Sequence, residues 1–153
     1  MNTTAYDWKT PFMKVSADVA GKEFERISKK RGLTAEAVVD ESRPEDAPLH
    51  DAFEWDDAVA GEEWRKQQAR VMIGNLVIQV EELPESPQVR AYVMIDKTAS
   101  VYESTKVILQ LEDKKQALMR IAMKELQSFQ RKYSDLQEFA RLFAEIDRLS
   151  GAA

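Results

Sequence analysis

The spacing of apolar residues in the first part of the chain predicts two short helices. The first repeats apolar side chains at intervals that fit one helical face, namely Val19, Phe24, Ile27 and Leu33. Ser16 is a candidate N-cap, and Gly32 ends the helix because glycine tolerates the left-handed backbone of a helix stop. The second helix opens at Thr34 and stops at Arg43, since the residue before Pro44 is pushed out of helical geometry.

A long third helix is predicted next. Asp56 or Asp57 is its candidate cap, and the helical pattern runs through Met72 towards the pair Gly74-Asn75. Beyond this point the pattern changes to that of strands.

Residues 76–80 and 89–95 are rich in β-branched and aromatic side chains, which favour strands. Residues 84–87 between them begin and end with proline and supply turn chemistry. The two segments are therefore predicted to form a loose hairpin. The sequence also allows a third short strand within residues 101–107.

The last forty residues contain an apolar seam at steps of four and three, which is typical of a helix that packs against another helix. The seam consists of Leu118, Ala122, Leu126, Phe129, Tyr133, Leu136, Ala140 and Phe143. Ser134 and Gln137 match a capping box, so the tail is either a helical hairpin broken near Tyr133 or one continuous rod.

These elements predict an α+β protein that is mostly helical. It has an N-terminal bundle of short helices, one long helix, a small β-hairpin and a C-terminal helical hairpin or rod. The three regions span residues 1–75, 76–110 and 111–153 and are expected to form one compact unit, because a chain of 153 residues is of single-domain size.

Composition narrows the class of protein. The chain has no cysteine, so it has neither a disulfide framework nor a thiolate site, and its longest apolar run is too short to span a bilayer. We therefore expect a cytoplasmic protein without a membrane partner. The net charge is −5, yet the acids are concentrated: residues 34–63 contain eleven Asp/Glu against one Lys/Arg.

The stretch APLHDAFEWDD, residues 47–57, holds the only histidine and four acids. One interpretation is a metal site whose ligands would be His50, Asp51, Glu54 and Asp57. The other is an elbow in which Leu49, Phe53 and Trp55 pack into the core while His50 hydrogen-bonds a carbonyl or an acid. We favour the elbow, because a single histidine makes a catalytic zinc site hard to assemble.

No catalytic motif is found. The chain lacks a phosphate-binding loop, a dinucleotide-binding glycine pattern and a nucleophile elbow. Acid pairs occur at 56–57, 62–63 and 81–82, but no pattern suggests an apolar niche that would tune one carboxyl for catalysis. We therefore predict a non-enzymatic protein with no cofactor and no metal.

The first two helices and the short turn between them resemble a helix-turn-helix arrangement. The first helix has a basic strip whose side chains are candidate contacts to nucleic-acid phosphates: Lys22, Arg26, Lys29, Lys30 and Arg31. A solvated helix face is the alternative for this strip. The second helix contains Glu36, Asp40 and Glu41, and these acids argue against insertion into a groove.

The order of several segments resembles that of small proteins from bacterial prophages and related mobile elements. The segments are K-x-x-A-x-x-A-G-K-E-F-E-R-I, G-L-T-A-E-A-V-V-D-E-S-R, P-L-H-D-A-F-E-W-D-D, E-E-W-R-K-Q-Q-A-R and V-R-A-Y-V, and the likeness spans about positions 14 to 149. The resemblance implies a phage origin and a role near DNA-handling or regulatory genes inside the bacterial host, but it transfers no active-site residue.

The predicted function is that of a phage or prophage accessory protein, DNA-associated or regulatory, that forms a homo-oligomer, most simply a dimer, through its C-terminal helices. The first alternative is an inhibitor or adaptor that presents its acidic block to a basic protein partner. A component of phage particle assembly is a further alternative, and a metal-dependent enzyme comes last.

Overall fold

The computed structural model describes residues 4–11, 13–79 and 87–151. Within these ranges the chain has six α-helices and five short strands, and it is 57% helical. The predicted α+β class, mostly helical, is confirmed. The chain divides into two compact units, an N-terminal unit at Met1–Val107 and a C-terminal unit at Ile108–Ala153.

Helices α1 (Ala17–Arg31) and α2 (Ala35–Ser42) begin and end as predicted. The Ser16 and Thr34 side chains each accept a hydrogen bond from a backbone N–H in the first turn, at 3.3 and 3.0 Å. Gly32 ends α1 with a φ of 83°, a backbone angle that residues with a Cβ rarely adopt. Local capping chemistry therefore determines where both helices begin and where α1 ends.

The buried face of α1 differs from the predicted one at its start. Phe24 and Ile27 are fully buried as expected, but Val19 is 39% exposed. The first turn buries Ala17 and Ala20 instead. Positions 17, 20, 24 and 27 share one helical stripe, whereas position 19 lies well around the helix from it, so including Val19 was wrong.

Helix α3 (Glu62–Asn75) starts later than predicted, with Gly61 as its N-cap. Residues 56–60 form a turn in which the Asp56 carboxylate accepts the backbone N–H of Ala58 at 2.9 Å. The Asp57 side chain is instead held in an ion pair with Arg65. Asp56 and Asp57 are therefore turn residues, and the prediction that either caps the long helix was wrong.

Two small antiparallel sheets complete the N-terminal unit. The first has the order β1 (Tyr6–Trp8), β2 (Leu76–Ile78) and β3 (Val89–Arg90), and the second pairs β4 (Tyr92–Asp96) with β5 (Val101–Ser104). The expected pairing of the two strand segments is confirmed at β2–β3. Residues 80–86, which include most of the predicted turn and the acid pair at 81–82, lie outside the described residues.

Two features of the sheets depart from the sequence prediction. The segment 89–95 is divided at Ala91 and serves both sheets. Strand β1 was missed, because three residues of mixed polarity give no period that sequence analysis can detect. Its pairing with β2 brings Tyr6 opposite Ile78 and joins the start of the chain to its middle.

The C-terminal unit contains the second half of α4 (Thr105–Gln110) and all of α5 (Glu112–Lys132) and α6 (Ala140–Leu149). Helix α5 ends at Tyr133 and the chain folds back, so that Gln130 donates a hydrogen bond to Asp147 at 3.1 Å. The tail is therefore a hairpin and not a rod. The capping box at Ser134 and Gln137 was wrong, since neither the 3₁₀ turn at Gln137–Phe139 nor α6 begins with a side-chain cap.

Among the described residues, no helix combines the length and the apolar character that crossing a membrane requires.

Candidate functional site

The acidic and aromatic elbow is held by packing and hydrogen bonds. Leu49 and Phe53 are buried, and Trp55 is half-buried with its indole N–H donating to the His50 carbonyl at 2.8 Å. The His50 ring stacks on the Trp55 ring with 5.1 Å between centroids, and its Nδ1 lies 3.0 Å from the Ser42 carbonyl oxygen. This geometry confirms the elbow interpretation.

The residue that organises the elbow, Arg65, was missed by the sequence analysis. Its guanidinium is buried and donates to the carbonyl oxygens of Glu54 and Ala60 at 2.8 and 3.0 Å. It also pairs with Asp57 and lies over the Trp55 ring at 5.2 Å. Because these partners come from a loop without periodicity, only their assembly in space reveals the role of Arg65.

The four proposed metal ligands do not converge. Across the described parts of the chain, no three histidine or carboxylate side chains are placed to hold a metal ion. His50 is committed to Ser42 and Trp55, and Asp57 is committed to Arg65. His50 and Asp57 are thus engaged in packing, hydrogen bonds and an ion pair within the elbow.

Ion pairs occupy much of the basic strip on α1. Glu41 of α2 accepts from Arg26 at 2.8 Å and from Lys30 at 3.0 Å, and Asp40 pairs with Arg31 at 3.4 Å. The hydrogen bonds from Arg26 and Lys30 hold the pKa of the Glu41 carboxyl below its usual value. Three of the five candidate nucleic-acid contacts therefore fasten α1 to α2.

The other two basic residues of the strip, Lys22 and Lys29, line a cavity of about 510 Å³ inside the N-terminal unit. They occupy one face of α1 together with Glu25 and Ser28, because these positions are three or four residues apart. A third lysine, Lys106, lines the same cavity and donates to Thr4 at 3.4 Å. The cavity thus contains three lysines and one glutamate.

Two tyrosines form part of the cavity wall. The Tyr6 hydroxyl donates to the Glu25 carboxylate at 2.5 Å, and the Tyr92 ring is buried. Burial and the hydrogen bond to Glu25 raise the pKa of Tyr6 well above its usual range, and burial raises the pKa of Tyr92 to about 12. Both hydroxyls therefore stay protonated at neutral pH.

Gly21 makes this wall possible. A Cβ at Gly21 would overlap the Tyr6 ring, which lies directly against α1. The glycine therefore allows β1 to approach the helix closely, although its own backbone angle is ordinary for a helix. No sequence pattern signalled this contact.

A second cavity of about 320 Å³ lies between α3 and the loop before α1, with Trp64, Val71 and Met72 in its wall. The Gln68 side-chain oxygen is buried without a hydrogen-bond partner in the described chain. This cavity is mainly apolar and has a single charged side chain, Lys14, in its lining.

The apolar seam of the C-terminal unit is largely exposed. Phe129 packs against Tyr133, Phe139 and Phe143, with ring centroids 4.9 to 6.2 Å apart. Of the predicted seam, three residues are half-buried, namely Leu118, Tyr133 and Phe143, and the other five are exposed, namely Ala122, Leu126, Phe129, Leu136 and Ala140. Between residues 112 and 149, all of them described, only Ile146 is buried.

Seven large apolar side chains between residues 112 and 149 are at least 36% exposed, and we refer to them as the C-terminal apolar surface. They are Met119, Leu126, Phe129, Leu136, Phe139, Leu142 and Leu149. Leu142 and Leu149 are seven residues apart on one face of α6.

The chain matches no protein-family model, no curated protein and no solved structure in the comparisons with known proteins. The resemblance to prophage proteins therefore stays a prediction.

Proposed function

We propose that the protein is a non-enzymatic interaction protein that forms a homodimer through its C-terminal apolar surface. The observation that supports this proposal is the imbalance of burial between residues 112 and 149, where seven large apolar side chains are exposed and one, Ile146, is buried. Exposed apolar area of this kind is typical of an interface, because removing it from water stabilises the complex.

The charges of the hairpin favour a second copy over a strongly charged partner. Residues 112–149 contain eight Lys/Arg and seven Asp/Glu, so the surface around the apolar side chains is nearly neutral. Two identical copies can approach across such a surface without strong like-charge repulsion, and a two-fold dimer covers the same surface on both.

The DNA-associated and adaptor roles stay predictions and are not part of this proposal. Three residues of the basic strip already have carboxylate partners, which lowers the charge available to phosphates. The same pairs, with those of Glu62 and Asp57, occupy part of the acidic block that an adaptor would present to a basic partner.

Sedimentation or light scattering tests the dimer. We expect the wild-type chain to have twice the mass of its 17.5 kDa monomer, and the variant Leu142→Glu with Leu149→Glu to be monomeric, because both substitutions place charge in the interface. Both side chains are exposed, so the variant is expected to remain folded.

Val59→Glu is the matched control, because Val59 is 70% exposed in the N-terminal unit and its substitution is expected to leave the mass unchanged. A monomeric wild-type chain at the highest soluble concentration would overturn the proposal. A dimer that survives both glutamates would place the interface elsewhere and would overturn it equally.

A further inference from the structure

The cavity beside α1 has a composition that the dimer does not explain. Its three lysines are exposed at the rim, whereas Ile78, Ala91 and Val107 line it with apolar atoms. A volume of about 510 Å³ lies in the range of cavities that hold small organic molecules.

The lysines of the cavity differ from their neighbours on α1 in lacking a carboxylate partner. Arg26, Lys30 and Arg31 each contact an acid of α2, but within the described residues Lys22 and Lys29 form no ion pair. The carboxylate of the lining, Glu25, accepts the Tyr6 hydroxyl. Two ammonium groups at this rim are therefore available to a ligand.

We propose that this cavity binds a small organic anion that has a flat apolar body and a phosphate or carboxylate group at one end. The apolar lining and the tyrosine rings would contact the body, since aromatic faces pack well on flat rings. Lys22 and Lys29 would bind the anionic group, and Lys106, which lines the same cavity, would add a third positive charge.

Titrations of the full chain with four probes test separately the binding of the anionic group and the binding of the apolar body. The probes are 2-naphthyl phosphate, 2-naphthoate, neutral 2-naphthol and inorganic phosphate, followed by amide NMR shifts along α1 and at Ala91. We expect 2-naphthyl phosphate or 2-naphthoate to bind saturably. 2-Naphthol and inorganic phosphate are expected to bind about tenfold more weakly, because the first lacks the contacts of the anionic group and the second lacks those of the apolar body. Whichever of the two organic anions binds more tightly identifies the anionic group.

Lys22→Ala and Lys29→Ala are each expected to weaken binding of the preferred anion about tenfold, because each variant loses one charge-assisted contact. Lys124→Ala is the matched control, because it removes the same charge from an exposed position in the C-terminal unit. Equal binding by the control and the two variants would overturn the proposal, as would the absence of saturable binding by both organic anions.

The test of anion binding can be separated from the test of the dimer. Repeating the titration on the variant with glutamate at 142 and 149 separates the two questions, since those positions lie in the C-terminal unit and the cavity lies in the N-terminal unit. Anion binding by a monomer would support the cavity proposal alone.

Discussion

At the scale of single residues, Arg65 determines how the loop before α3 is arranged. Its guanidinium satisfies the carbonyl oxygens of Glu54, Trp55 and Ala60, which periodic structure leaves unpaired. Buried carbonyl groups are costly without a donor, so one side chain replaces the hydrogen bonds that a helix or sheet would supply.

Arg65→Met is expected to lower the melting temperature by roughly 5–10 °C, because the apolar side chain fills similar space but donates no hydrogen bond. Thermal unfolding followed by circular dichroism measures the change. Arg70→Met is the control, since Arg70 lies on the same helix and is exposed. Similar melting temperatures for the two variants would show that the hydrogen bonds of Arg65 contribute little.

Gly21 is a second position where a single atom decides the packing. Gly21→Ala is expected to destabilise the fold by about 1–3 kcal/mol, since the added Cβ would displace the Tyr6 ring, and this cost exceeds the gain in helix propensity. Gly74→Ala is the control in α3, where a Cβ meets no atom within 4 Å, and we expect it to stabilise by about 0.5–1 kcal/mol. Urea denaturation measures both changes, and a stabilising Gly21→Ala would contradict the close approach of β1.

At the scale of elements, α1 and α2 are joined through Glu41. The two helices pack through buried side chains such as Phe24, Ile27 and Val38, and at the edge of this contact Glu41 bonds to Arg26 and Lys30. The sequence contains both charges of each pair but not their alignment, which depends on the angle that the turn at Gly32 imposes.

The Glu41 network gives a pH dependence. Because the pKa of Glu41 is lower in the folded chain than its usual value, its contribution to stability is present above the usual pKa and is lost as the pH falls through the lowered one. We therefore expect Glu41→Gln to destabilise the protein at pH 7 and to lose less stability than the wild type on acidification.

Urea denaturation at a series of pH values between neutral and about 3 measures this difference in slope. Glu45→Gln is the control, since Glu45 is exposed near the same end of α2. If the wild type and Glu41→Gln lost stability in parallel, the ion pairs would be contributing nothing measurable.

At the scale of the whole molecule, the two units differ in how completely they bury their apolar side chains. The N-terminal unit has a contiguous core built from α1, α2, α3 and the sheets. The C-terminal hairpin buries Ile146 and leaves most of its other large apolar side chains exposed. The division suggests two roles, with ligand binding proposed for the first unit and self-association for the second, and the titrations and mass measurements above test them separately.

The sequence alone determined the elements whose signals are local. Capping residues at Ser16 and Thr34, the glycine at 32 and the proline at 44 define α1 and α2, because each acts on the backbone within a few residues of itself. The strand pairing after α3 was also predicted from local patterns, whereas the sequence left open whether the C-terminal helices form a hairpin or a rod. The mostly helical α+β class follows from these elements.

Only the tertiary structure decided what Arg65, Glu41 and the polar residues of the cavity do. The partners of Arg65 in the loop before α3 lie 5 to 11 positions away along the chain, those of Glu41 lie 10 to 15 away, and the cavity joins Tyr6 to Lys106. Such contacts have no period, since they depend on where β1, α1 and the loops meet in space. Periodicity records which side of an element is buried, but the arrangement of charges around a cavity arises only when the elements are packed together.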